Sequence, residues 1–144
     1  MKVFFEAGCG FGWNVARVKD EFPDVSVGGV DFSATQLESA KRFMQEREHR
    51  FVQSDICQMK LDDNAFDVGF SLGVFMNIHP DQILAACKEM VRVSKRYILH
   101  LEYDEENTTP ELRKKRAFKT NIGSQDYKSL YESLGKKVVE FKTY

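Results

Sequence analysis

The chain has 144 residues, 42% of them hydrophobic and 30% charged, and its formal net charge is −1. This length suits a single domain, residues 1–144, built around one core. The balanced charge gives no bulk electrostatic case for nucleic-acid binding, and no apolar run is long enough to span a membrane. We therefore expect a cytoplasmic protein that binds neither nucleic acid nor membrane.

Cysteine usage argues against two further classes of protein. Cys9, Cys57 and Cys87 are not spaced as CxxC pairs, and the three histidines are scattered along the chain. A zinc site or a disulfide framework has a more regular spacing than this. The pattern instead predicts buried thiols in a reducing compartment and no bound metal.

Apolar runs alternate with segments of helical spacing. The runs predict six strands: Val3–Phe5, Val25–Val30, Phe51–Gln53, Asp67–Ser71, Tyr97–Leu101 and Val138–Phe141. Several runs are continuous, which is typical of strands covered on both faces. Between them, Ser33 and Gln36 form a capping box at the start of one helix. Pro80 suits the first turn of the next helix, and Gly135 ends the last.

This alternation of strands and helices predicts an α/β fold: a Rossmann-like, doubly wound, mostly parallel sheet with helices on both faces. One charged segment, Asp104–Lys119, lies between the fifth strand and the last helix. It is expected to be a lid or substrate loop. Its basic run Arg113–Arg116 has two interpretations, a solvated helix face or a contact for an acidic sugar or a phosphate-bearing acceptor.

The sequence EAGCGFGW, residues 6–13, places glycines directly after the first strand. This loop is expected at the switch point of the sheet, where glycine lets the backbone approach a ligand. Two ligands compete for the pattern: a nicotinamide dinucleotide, which uses GxGxxG, and S-adenosylmethionine, which uses an acid followed by GxGxG. Trp13 occupies the position of the third dinucleotide glycine, and Glu6 would repel a pyrophosphate but attract an ammonium and a sulfonium. The residues therefore favour S-adenosylmethionine, bound by Glu6, Gly8, Gly10 and Gly12.

Two more acids end the second and third predicted strands. Asp31 can accept hydrogen bonds from both hydroxyls of a ribose, and Phe32 beside it can lie on an adenine face. Asp55 can accept a hydrogen bond from the adenine amine, with the Ile56 amide facing a ring nitrogen. Each acid alone also suits a helix cap or a solvated turn. Together with Glu6, at three successive strand ends, they indicate one cofactor site.

These motifs resemble the class I S-adenosylmethionine-dependent methyltransferase family over most of the chain. EAGCGFG resembles the first family motif, VDFSATQLESAKR the strand and helix with the ribose-binding acid, and SDI the adenine-binding acid. FDVGFSLGVFMNI resembles the fourth-strand motif, which implies that Ser71, Leu72 and Gly73 border the methionine end of the cofactor. Within the family, SLGVFMNIHPDQI, RVSKRYILHLEY and FKTNIGSQDYKSLYESLG resemble methylases associated with pseudaminic acid biosynthesis.

The resemblance implies a methyltransferase that acts on a small molecule, such as a sugar or sugar-derived metabolite. It also implies a fold shortened at both ends, because family members carry a helix before the first strand and an antiparallel hairpin at the end of the sheet. We expect self-association through the resulting sheet edge at Val138–Phe141 or through the open pocket face, most simply as a homodimer. The alternative is a monomer in which the segment Asp104–Lys119 shields this edge. The alternative function is a non-catalytic S-adenosylmethionine-binding module or partner subunit.

Residues for the chemical step are expected near the ends of the fourth and fifth strands. Methyl transfer from a sulfonium needs mainly alignment, and a general base only where the acceptor loses a proton. Glu102 and Tyr103 end the fifth strand and His79 follows the fourth, so these three are the candidate catalytic residues. His100, inside the fifth strand, better suits a structural histidine. Both Trp13 and Phe75 suit either a pocket wall or the core.

Overall fold

The computed structural model describes residues 2–103, 111 and 123–142. In these residues, strands alternate with helices in the order β1 (Val3–Ala7), α1 (Trp13–Glu21), β2 (Ser26–Asp31), α2 (Ala34–Met44), β3 (Arg50–Gln53), β4 (Phe66–Leu72), two short 3₁₀ helices (Phe75–Asn77 and Pro80–Gln82), α3 (Ile83–Val93), β5 (Ser94–Leu101) and α4 (Tyr127–Ser133). None of these helices is long and apolar enough to cross a membrane. Apart from Glu111, the charged segment at residues 104–119 lies outside the described residues.

The five described strands form one parallel sheet in the order β3-β2-β1-β4-β5. The chain first adds strands on one side of β1 and then crosses to the other side, so the order reverses between β1 and β4. In doubly wound folds, ligands bind in the crevice at this reversal, outside the carboxyl ends of the strands. Glu6 of β1 lies there, beside Gly29 of β2 and Phe70 of β4. The predicted Rossmann-like parallel fold is confirmed.

Local sequence signals set the helix ends. The side chain of Ser33 caps α2 by accepting a hydrogen bond from the Gln36 amide at 3.3 Å. Gly135 follows α4 in a left-handed conformation, with φ of 72°, which closes the helix as predicted. Pro80 begins the second 3₁₀ helix rather than α3, which starts at Ile83.

Two apolar layers cover the two faces of the sheet. On one face, α1 and α2 bury Val15, Leu37 and Met44. On the other face, α3 and α4 pack over a layer in which the rings of Phe5 and Phe66 stack 4.3 Å apart. Cover on both faces explains why the strands read as continuous apolar runs.

The prediction of a sixth strand is wrong. Residues Val138–Phe141 pair with no described strand, and Val139 is 76% exposed. The segment runs beside β5 and α4, and the three together bound a cleft of about 470 Å³. A strand needs a partner for its backbone groups, and the described residues place none next to this segment. The two edges of the described sheet are therefore β3 and β5, and a homodimer through the sheet edge stays a prediction.

Arg92 on α3 fastens the connection between β3 and β4. Its guanidinium donates to the carbonyls of Met59 at 2.9 Å and Leu61 at 2.7 Å, and to the carboxylates of Asp63 and Glu89. The same guanidinium holds the pKa of Glu89 below its usual value. Residues 54–65 form neither helix nor strand, apart from one isolated bridge, so this clamp does much to fix their position.

Replacing Arg92 by Lys should lower the free energy of unfolding by about 2 kcal/mol, because an ammonium cannot serve the same carbonyls and carboxylates as a planar guanidinium. Urea denaturation measures the change. The matched control is Arg17→Lys, since Arg17 is exposed on α1 and forms an exposed ion pair with Glu21. That change should cost less than about 0.5 kcal/mol. Equal losses in the two variants would contradict the clamp.

Candidate cofactor site

The glycine loop between β1 and α1 is fastened to the end of β2. The amides of Gly8 and Cys9 donate to the Val30 carbonyl at 2.8 and 2.9 Å, and the Gly10 amide donates to Asp31 Oδ2 at 2.9 Å. Gly8 and Gly10 have φ of 71° and 50°, in the left-handed region that favours glycine. Three successive amides thus turn toward β2, and the loop bends sharply at the switch point.

Asp31 has more protein partners than the sequence indicates. Its Oδ2 accepts from the Gly10 amide, and its Oδ1 accepts from the Ser33 amide at 2.8 Å. A carboxylate offers about four acceptor positions, so two remain for the hydroxyls of a ribose. Asp31 therefore holds the glycine loop and the start of α2 whether or not it contacts a ligand, and its ribose role stays a prediction.

Glu6 is a buried acid at the end of β1, only 2% exposed. Its Oε1 accepts from Asn14 Nδ2 at 2.7 Å, while its Oε2 has no hydrogen-bond partner among the described residues. Burial raises the pKa of Glu6 to about 7, against the opposing effect of the Asn14 hydrogen bond and with a smaller contribution from Asp31. A cationic ligand group would supply the missing partner, so this arrangement fits the predicted cofactor.

Two of the three residues that the sequence assigns to adenine border the same cleft. Phe32 and Asp55 border a space of about 540 Å³ at the ends of β2 and β3. Phe32 is 77% exposed, so its ring face is open to a planar ligand. Asp55 Oδ1 accepts from the Cys57 amide at 2.8 Å and keeps acceptor positions free. Ile56 follows Asp55 and packs against the core.

Glu102 holds the loop that follows β4. Its Oε1 accepts from the Ser71 hydroxyl at 2.7 Å and from the Val74 amide at 3.1 Å, and its Oε2 accepts from the Met76 amide at 3.4 Å. The carboxylate of this candidate catalytic residue is thus engaged by three protein donors. Of the residues predicted to border the methionine end, Ser71 is buried in this network, and Leu72 and Gly73 lead into the loop.

The other two candidate catalytic residues lie on separate segments. Tyr103 follows β5, is exposed, and accepts a hydrogen bond from the Gln125 amide at its carbonyl. His79 caps the second 3₁₀ helix by accepting from the Asp81 amide at 3.3 Å. No hydrogen bond among the described residues joins His79 to Glu102, and the catalytic role of all three residues stays a prediction.

Sequence reasoning missed two contacts that shape the site. Asn14, in the first turn of α1, donates a hydrogen bond to Glu6. Its position shortly after the glycine loop is the sequence feature from which this contact could have been predicted. Val74 packs directly against Gly8, which no local pattern indicates. The sequence left Trp13 and Phe75 as either pocket wall or core residues. In the structure Trp13 is exposed beside the glycine loop, whereas Phe75 is buried in the core.

Sequence comparison covers the region that carries this site. Residues 4–96 match the family model described as methyltransferase domain, and the chain belongs to that family. The resemblance drawn from the motifs is therefore confirmed at the level of the family. Comparison with curated proteins gives no significant match.

Solved structures share the fold at low sequence identity. One is the complex of the Haloferax volcanii Trm112 methyltransferase activator with a protein described as a methyltransferase, at TM-score 0.79 and 18% identity over 96% of this chain and 63% of that one. Another is the geranyl diphosphate C-methyltransferase of Streptomyces coelicolor, at TM-score 0.74 and 17% identity over 92% and 52% of the chains. A third is phosphoethanolamine N-methyltransferase 2 of Haemonchus contortus, at 0.75 and 20% over 91% and 31%. This chain spans less than two thirds of each of them.

The raised pKa of Glu6 should make stability depend on pH. The native state keeps this proton up to about pH 7, whereas the unfolded chain loses it near 4.5. The native state thus binds more protons between these values, and stability falls as pH rises through them. In Glu6→Gln that fall should disappear, so the difference in unfolding free energy between parent and variant should change by about 3 kcal/mol across the window.

Urea unfolding at a series of pH values measures this difference. Glu38→Gln is the matched control, because Glu38 is exposed on α2 and pairs only with Lys41 among the described residues. A difference between parent and Glu6→Gln that stays constant from pH 4.5 to about pH 8 would rule out the burial effect.

Replacing Gly8 or Gly10 by Ala should lower the free energy of unfolding by different amounts. At Gly8 an added Cβ would lie 2.5 and 2.6 Å from the two Cγ atoms of Val74, whereas at Gly10 it would meet only the end of the Gln36 side chain at 2.9 Å. We expect Gly8→Ala to lower the free energy of unfolding by about 3 kcal/mol and Gly10→Ala by about 1 kcal/mol. Thermal unfolding compares the two, and a larger loss for Gly10→Ala would contradict the close packing of Val74 on Gly8.

Proposed function

We propose that this chain is an S-adenosylmethionine-dependent methyltransferase that acts on a small molecule. The observation that carries the proposal is Glu6, a buried carboxylate with one unpartnered oxygen among the described residues, at the switch point of the sheet. An acid here disfavours the pyrophosphate of a dinucleotide and suits the ammonium and sulfonium of S-adenosylmethionine. Membership of the methyltransferase domain family supports the same cofactor.

The proposed cofactor site follows the carboxyl ends of four neighbouring strands. Adenine would stack on Phe32 and meet Asp55 and the Ile56 amide, and the ribose would use the two open acceptor positions of Asp31. The methionine end would lie toward Glu6 and the loop after β4. The full proposed set is Glu6, Gly8, Gly10, Gly12, Asp31, Phe32, Asp55, Ile56, Ser71, Leu72 and Gly73.

The protein's share of the chemistry is mainly alignment. When bound, the cofactor supplies an electrophilic methyl group on a sulfonium, which leaves as a neutral thioether. The chain must then hold the acceptor in line and exclude water. Glu102 is engaged by the loop after β4, so it would act by positioning that loop. Tyr103 and His79 remain the proposed acceptor contacts, with His79 as the base where the acceptor must lose a proton.

The small-molecule acceptor, such as a sugar or sugar-derived metabolite, is the finer part of the proposal. Two of the similar structures are named as a geranyl diphosphate methyltransferase and a phosphoethanolamine methyltransferase. Both names specify small phosphate-bearing molecules. They support a compact acidic acceptor for a domain of this fold.

The alternative is a cofactor-binding module or subunit that works with a partner protein. The structure from Haloferax volcanii supports this alternative, because its name describes a complex with a methyltransferase activator. Incubation of the chain alone with S-adenosylmethionine and a panel of sugar and phosphate-bearing acceptors separates the two functions. Release of S-adenosylhomocysteine supports the enzyme, and tight binding without turnover on any acceptor supports the module.

Replacing Phe32 by Ala should weaken binding of S-adenosylhomocysteine about tenfold, since stacking on a base is worth roughly 1–3 kcal/mol. The side chain is exposed, so the free energy of unfolding should change by less than about 0.5 kcal/mol. Isothermal titration calorimetry measures the affinity. Phe22→Ala, at a similarly exposed ring beyond α1, is the control and should bind as the parent does. Unchanged affinity in Phe32→Ala would refute the adenine assignment.

A further inference from the structure

A chain of polar side chains runs from α4 to the loop after β4. The Tyr131 hydroxyl bonds His100 Nε2, His100 Nδ1 lies 2.6 Å from Ser71 Oγ, and Ser71 Oγ lies 2.7 Å from Glu102 Oε1. The imidazole packs against aromatic rings, with centroid distances of 4.6 Å to Phe75 and 5.2 Å to Tyr131. Burial lowers the pKa of His100 to about 3, so the ring is neutral at physiological pH.

The hydrogen-bond partners fix the direction of every proton in this chain. A carboxylate oxygen only accepts, so the Ser71 hydroxyl must donate to Glu102. Ser71 Oγ must then accept from His100, which places the single proton of the neutral ring on Nδ1. His100 Nε2 is consequently an acceptor, and the Tyr131 hydroxyl donates to it.

The far end of the chain reaches the glycine loop. Glu102 accepts from the amides of Val74 and Met76, and thereby holds the backbone of the loop after β4. The side chain of Val74 in turn packs against Gly8, where an added Cβ would lie 2.5 Å from it. The position of Val74 therefore links Glu102 to the loop that we assign to the cofactor.

We propose that Glu102, through the Ser71 hydroxyl, holds His100 in the Nδ1–H tautomer, and that Tyr131 anchors the ring by donating to Nε2, so that this hydrogen-bond chain positions the loop after β4 against the glycine loop. Tyr131 and His100 are then positioning residues for the cofactor, a role that rests on the proposed function. Without the Tyr131 hydroxyl, Nε2 would be a buried acceptor without its donor, and the ring would lose the contact that anchors it on the side of α4. The bonds from His100 to Ser71 and from Ser71 to Glu102 would then hold the loop less firmly.

The variant Tyr131→Phe tests this chain because it removes one hydroxyl and keeps the ring. Long-range ¹H–¹⁵N spectra of the imidazoles report the tautomer directly, with His49 and His79 identified by their own single substitutions. The parent should show His100 protonated on Nδ1, and Tyr131→Phe should keep this tautomer but shift the Nε2 resonance, because Nε2 loses its donor. Amide exchange at Val74 and Met76 should become faster in the variant. Tyr97→Phe, which removes an exposed hydroxyl from β5, should change neither readout.

Cofactor affinity tests whether this hydrogen-bond chain affects cofactor binding. Calorimetry should show S-adenosylhomocysteine binding about fivefold or more weaker in Tyr131→Phe and in Ser71→Ala, and unchanged in Tyr97→Phe. A parent protonated on Nε2, or amide exchange that Tyr131→Phe leaves unaltered, overturns the chain itself. Faster amide exchange at Val74 and Met76 with unchanged affinity overturns the link between this hydrogen-bond chain and the cofactor. A parent that binds no S-adenosylhomocysteine refutes the proposed function. The imidazole spectra and amide exchange still test the hydrogen-bond chain in that case.

Discussion

The candidate site depends on the attachment of the glycine loop to the end of β2. Three successive amides donate to the Val30 carbonyl and the Asp31 carboxylate, and these bonds fix the loop in a conformation with positive φ values. Positive φ values of this kind favour glycine, because a Cβ makes this backbone conformation unfavourable. The loop, the start of α2 and the crevice between them are therefore set by one strand end before any ligand is considered.

The charges at the switch point support the proposed cofactor. Burial, and to a smaller extent the charge of Asp31, raises the pKa of Glu6, and Glu6 has an oxygen without a hydrogen-bond partner among the described residues. Folding therefore leaves a buried acid in an unfavourable state, whose charged form a nearby cation would stabilise. A phosphate would instead add negative charge beside Asp31 and disfavour the charged form of Glu6 further. The electrostatics and the loop geometry thus point to the same class of cofactor.

The sequence predicted those features that local pattern determines. Continuous apolar runs predicted the five parallel strands, and Ser33 and Gly135 predicted helix ends, because each signal acts within a few residues. The run Val138–Phe141 carried the same local signal and forms no strand, since a strand also needs a partner at its edge. The partners of Glu6 and Glu102 come from other elements, so no spacing rule could reveal that Glu102 holds a loop.

Two acids that the sequence assigned to ligands prove to hold backbone amides. Asp31 holds the glycine loop and Glu102 holds the loop after β4, and the two loops meet where Val74 packs on Gly8. A loss of binding on truncating either acid would therefore mix a lost ligand contact with a displaced loop. Phe32 is free of this ambiguity because its ring is exposed. Hence the exposed aromatic, rather than the acids, is the residue whose substitution reads out ligand contact alone.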